Sequence, residues 1–129
     1  MERLTVRRAV DGWAMGFLTS LVIQGLFARV FARATTWGHN PGWQREIAIW
    51  NLGTLTTIAA LRREGGDPDR GLTAGFVVLS AFFGANHLAA ALGSPRSWGN
   101  WAGVAANGVG LCAGIAALAR DASERSEAG

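Results

Sequence analysis

At 129 residues the chain has room for one domain, and half of its residues are apolar while only 16% are charged. That balance is low in charge for a water-soluble domain and ordinary for a helical membrane protein. The net charge of +3 is spread over separate polar stretches, so no basic face forms, and a nucleic-acid partner is excluded despite a pI near 11.

Residues 1–11 make a short tail holding Arg3, Arg7 and Arg8. The first apolar stretch follows, and a helix is predicted over 12–33. A helix rises about 1.5 Å per residue, so roughly 20 apolar residues cross a hydrocarbon core about 30 Å thick. The basic tail and the pattern Ala32-Arg33-Ala34 also resemble a cleaved signal peptide. The stretch is longer than the roughly 7–15 apolar residues of such a segment, and Arg29 and Arg33 lie near its end. It is read as a retained span.

A loop containing Asn40-Pro41-Gly42 leads to a second helix predicted over 44–62, apolar from 47 to 61. The next loop, RREGGDPDRG at 62–71, combines a glycine pair at the helix end with Asp67-Pro68 to start a turn. Helices over 71–92 and 101–120 follow, separated by a loop with Ser94-Pro95, and residues 121–129 read as a flexible polar tail. Loops this short make consecutive helices antiparallel neighbours. The predicted fold is therefore all-α, one integral-membrane domain over 12–120 built as an up-down-up-down four-helix bundle.

The side holding both termini and the middle loop carries eight arginines, the other side four. By the positive-inside rule both termini are cytoplasmic, in a multi-pass protein of the inner membrane. All twelve basic residues are arginine, which points to the codon usage of a GC-rich bacterial genome. Four of the six tryptophans, Trp37, Trp43, Trp98 and Trp101, fall at the outer side. Indole favours the headgroup boundary, so interface anchoring is one reading, and a stacking platform for a flat ligand such as a quinone is the other.

Small residues at three- and four-residue spacing mark faces where helices pack in lipid. The predicted stripes are Gly12, Gly16, Ser20 and Gln24; Glu46, Trp50, Gly53, Thr57 and Ala60; Ser80, Gly84, His87 and Ala91; and Gly103, Asn107, Gly110 and Gly114. Glu46 falls within a turn of the outer boundary, while His87 and Asn107 come about 7 Å and 9 Å in at the helical rise. Asn51 and Asn86 share that slab and Asn100 stands at its mouth, although Asn51 lies about 140° round the helix from Glu46 and faces a different neighbour.

Ionisable groups inside a membrane are costly, which makes this cluster a ligand or proton site candidate. A Glu46–His87 pair could relay a proton or hold a quinone carbonyl. The structural alternative is that Arg29 neutralises Glu46 and that His87 satisfies asparagine or backbone groups; Arg45 is a second ion-pair candidate. One histidine and one glutamate fall short of a metal set, and His39 lies in a glycine- and proline-flanked loop as a solvated group. The single cysteine, Cys112, lies within the last span as a small apolar residue and excludes an intrachain disulfide. The sequence contains no phosphate-loop, zinc-protease, nucleophile-elbow or C-x-x-C motif.

Residues 43–53 (WQREIAIWNLG), the late histidine in GANH at 84–87 and the glycine–asparagine mouth SWGNWAG at 97–103 occur in that order. Together they resemble small bacterial DoxX-like membrane proteins over residues 42–107. The resemblance implies a four-helix bundle and, from some relatives, a membrane subunit of a quinone-linked oxidoreductase or a companion of a soluble redox enzyme. Arg45, Glu46, Asn51, His87 and Asn100 are the matching positions. Asn107 stands where an acidic residue is expected, which weakens a proton-transfer role for the last helix. The leading functional expectation is a binding or assembly subunit, with a quinone as the cofactor considered and the bilayer, a redox or membrane protein and a second copy of the chain as partners. The alternative is a small proton-coupled transporter acting as a homo-oligomer. Such exporters carry their carboxylate in helix one, where this chain has Gln24. A stand-alone enzyme ranks last.

Overall fold

The computed structural model describes residues 5–63 and 67–127, all helix and connecting loop. The predicted glycine pair at 65–66 and the outermost residues of both tails lie outside these. Five helices follow one another: α1 (Val6–Leu26), α2 (Ala28–Ala34), α3 (Pro41–Arg63), α4 (Asp69–Gly93) and α5 (Trp98–Glu127). Three of them, α1, α4 and α5, are long and apolar enough to cross a membrane. The fourth expected span, α3, has the length at 23 residues, or about 35 Å at the helical rise. Gln44, Arg45, Glu46, Asn51 and three threonines dilute its apolar content.

Helix boundaries depart from expectation at both ends. Helix α1 starts at Val6 because Thr5 caps it, its hydroxyl accepting from the Arg8 N–H at 3.3 Å. Helix α5 continues through the supposed flexible tail to Glu127, held by the i,i+4 pairs Arg120–Glu124 and Arg125–Asp121. The predicted first helix is broken at Phe27, whose φ of −119° and ψ of 24° leave the helical region. The helix resumes when the Val30 and Phe31 N–H groups donate to the Phe27 carbonyl, and Gln44 of α3 donates its amide to the Ala28 carbonyl at 3.2 Å. A side chain reaching into the backbone ladder is a recognised cause of such a break.

The packing is not that of four helices each flanked by its sequence neighbours. Helices α4 and α5 pack along each other, α3 packs chiefly on α1, and α1 also touches α4 and α5. Helices α3 and α4 meet at their ends, where Arg62 donates to Asp69 at 3.0 Å and to Asp11 at 2.7 Å. The core at this end is Val10, Ile58 and Phe76 with Trp13, Phe17 and Leu72 around it. Trp13 tilts against Phe76 at a centroid distance of 5.3 Å and donates its indole N–H to Ser80 Oγ at 2.9 Å.

Two of the four predicted stripes face inward. Ser80, Gly84, His87 and Ala91 meet α5, whose Gly110 and Gly114 lie against the Trp13 ring. The other two need correction. On α3, Glu46, Trp50, Gly53, Thr57 and Ala60 are all exposed, and the buried side is Gln44, Ala48, Asn51 and Ile58. On α1, Gly12 and Gly16 have open space around them, while Ser20 and Gln24 do face neighbours. Asn51 donates to Ser20 Oγ at 2.9 Å, tying α3 to α1 and pointing away from Glu46 as the wheel angle required. Asn51→Ala removes this buried tie, and an expected loss of about 1–2 kcal/mol would be read by thermal unfolding in detergent, with α3 the first helix to gain amide exchange.

Candidate functional site

The end of the molecule formed by α2, the loop 35–40, the start of α3, the end of α4 and the start of α5 gathers buried polar groups. Ser97 opens α5, receiving the Asn100 N–H on its carbonyl and donating its hydroxyl to the Ala34 carbonyl at 3.0 Å. Asn100 is fully buried and its amide donates to Thr36 Oγ1 at 3.1 Å and Ser97 Oγ at 2.9 Å. Gly99 lies so close to the Ala34 backbone that a side chain there would strike the carbonyl, which makes this glycine a packing requirement.

His87 stands beside this network. Its imidazole meets Trp37 at a centroid distance of 4.7 Å and an angle of 49°. The ring lies over Gly103, where a Cβ would strike it, and the Asn100 side chain is against it. Four buried side-chain atoms lack a hydrogen-bond partner among the described residues: His87 Nδ1, Asn100 Oδ1, Gln24 Oε1 and Gln44 Oε1. All four are at this end. At the opposite end Arg62, Asp69, Thr73 and the Trp13–Ser80 pair are hydrogen-bonded.

The remaining candidates divide as follows. Glu46 is exposed on α3 and makes no hydrogen bond or ion pair with His87, Asn107 or Arg29, so neither the relay pair nor the neutralising ion pair is present. Asn86 is exposed; Asn107 donates to the Gly103 carbonyl of its own helix at 2.8 Å and packs on Gly84. Arg29 and Arg45 are exposed. Trp43 and Trp98 are exposed, Trp101 donates its indole N–H to the Pro95 carbonyl at 3.0 Å, and Trp37 is the one tryptophan of the four that joins the site.

Thr36, Gln44 and Ser97 were not singled out from the sequence. Ser97 was findable, since a serine three residues before Asn100 and next to a helix start is a cap signal. Gln44 was hidden by its charged neighbours. No three His, Cys, Asp or Glu side chains gather among the described residues. The arrangement places an imidazole beside a buried asparagine amide, with Trp37 against the ring.

No family profile, curated protein or solved structure matches the chain.

Proposed function

We propose that the protein is an integral-membrane binding or assembly subunit of DoxX-like type, with α3 completing a four-helix membrane bundle. Its working end is the one built around His87, Asn100 and Trp37. The observation that carries this reading is the gathering of every buried unpartnered polar atom among the described residues at that one end. An unmade buried hydrogen bond costs about 1–3 kcal/mol, and such unsatisfied groups in a folded chain call for an explanation. A molecule bound at this end that reaches His87 and Asn100 supplies a reason for polar groups to be kept there.

The DoxX-like resemblance supports a quinone or a redox partner as that molecule, and the ring wall of Trp37 and His87 suits a flat one. Arginine counts support an inner-membrane location with both termini cytoplasmic. The transporter reading finds less support, because Glu46, the carboxylate it would use, stands exposed on α3.

The test is His87→Leu, purified beside the parent protein from native membranes in mild detergent. Mass spectrometry of the parent should recover a stoichiometric quinone or redox protein, and the variant should lose it while its unfolding free energy stays within about 1 kcal/mol. Recovery of the bare chain from both preparations would sink the reading.

A further inference from the structure

The charges of the two ends are arranged differently. At the end with the termini, eight arginines face eight acidic residues in the sequence, and Arg62, Arg70, Arg120 and Arg125 are ion-paired with Asp11, Asp67, Asp69, Asp121 and Glu124. At the opposite end four arginines stand with Glu46 as the one acid. Two of them, Arg29 and Arg33, are four residues apart on α2, and no carboxylate among the described residues pairs with either. Like charges at this spacing repel on a helix by a few tenths of a kcal/mol.

These two arginines line one cleft of about 270 Å³ together with Ala32 and His39. It is smaller than the roughly 300–1,000 Å³ sites that enclose drug-sized ligands. Gly38, at a φ of 71°, turns the chain so that His39 returns to α2. The cleft adjoins a second one that shares Arg29 and His39 and is walled by Leu26, Phe27 and Val30. Those three apolar side chains are 76%, 53% and 61% exposed. The break at Phe27 creates this geometry: it sets the arginines of α2 directly beside the last apolar turn of α1.

We propose that this cleft binds the phosphodiester group of an anionic phospholipid, with Arg29, Arg33 and His39 on the phosphate and Leu26, Phe27 and Val30 against its acyl chains. Guanidinium groups match phosphate oxygens with paired hydrogen bonds. Basic side chains beside exposed apolar ones can meet both parts of a lipid at once, the charged headgroup and the acyl chains. A free phosphate would satisfy the arginines but would leave the apolar wall unused.

The experiment is native mass spectrometry of the full chain in neutral detergent, titrated with phosphatidylglycerol, with phosphatidylcholine of the same chains, and with inorganic phosphate. One phosphatidylglycerol should be retained at least tenfold more tightly than phosphatidylcholine. Arg29→Gln/Arg33→Gln should erase that preference, Arg29→Lys/Arg33→Lys should keep most of it, and Arg45→Gln/Arg96→Gln should leave it intact. Helicity by circular dichroism checks that each variant is folded. Equal retention of the two lipids, or an unchanged preference in the Arg29→Gln/Arg33→Gln variant, overturns the proposal. Displacement of the lipid by millimolar inorganic phosphate also overturns it and makes the cleft a free-phosphate site.

Discussion

Gly114→Val is expected to destabilise the protein by about 3 kcal/mol, the upper part of the usual range for overpacking a filled core. Gly114 is buried in α5, and a side chain there would run into the Trp13 ring and the Val77 methyl. Trp13 cannot retreat cheaply. Its indole is held by Ser80, and its face is held by Phe76. Gly12→Ala is the contrast, since nothing approaches within 4 Å of the position, and helix propensity alone favours alanine by up to about 1 kcal/mol. Unfolding in detergent should therefore move in opposite directions for the two glycines. Trp13→Ala should cost about 3–5 kcal/mol alone and markedly less in the Gly114→Val background, because both changes act on the same space. Additive costs would mean that Gly114 and Trp13 do not share a socket.

Arg62→Met is the second large effect, expected at about 3 kcal/mol. Arg62 joins three elements, donating to Asp69 at the start of α4, to Asp11 on α1 and to the Arg7 carbonyl. Asp69 is only 7% exposed, so removing the guanidinium strands a buried carboxylate, the situation that makes broken buried pairs cost about 3–5 kcal/mol. The bond to Asp69 first, and the bond to Asp11 second, raise the Arg62 pKa above its ordinary value. A raised basic pKa stabilises the fold at every pH below the unfolded value, so this contribution is constant across the neutral range. Asp69→Asn in the Arg62→Met background should recover a large part of the loss, because the stranded charge is gone. A double variant no more stable than Arg62→Met would show that the loss comes from the bonds to Asp11 and the Arg7 carbonyl instead.

The inward stripes of α4 and α5 were legible because their glycines and polar residues lie on single faces that meet each other. His87 was legible as a polar group of the outer half and Asn100 as the group at its mouth, although the pair expected was His87 with Glu46. Glu46 lies on another side of α3 than the one that packs. Its stripe on α3 looks like a packing face, with Gly53 and Ala60 at the right spacing, yet α3 turns Gln44, Ala48, Asn51 and Ile58 to α1 instead. The break at Phe27 was equally invisible, since no proline marks it in the sequence, and the Gln44 amide that reaches the Ala28 carbonyl beside it comes from another helix.

Length and apolar content are sums along the chain, so the sequence by itself determined that this is an all-helical protein with helices long and apolar enough to cross a membrane and polar turns between them. In water an amphipathic pattern also tells a helix which side to bury. In a bilayer the lipid is as apolar as a neighbouring helix, and that cue is lost. Which side of α3 meets α1, where α1 breaks, and which polar atoms are left without partners were therefore decided only by the tertiary structure, through contacts between residues far apart in the chain.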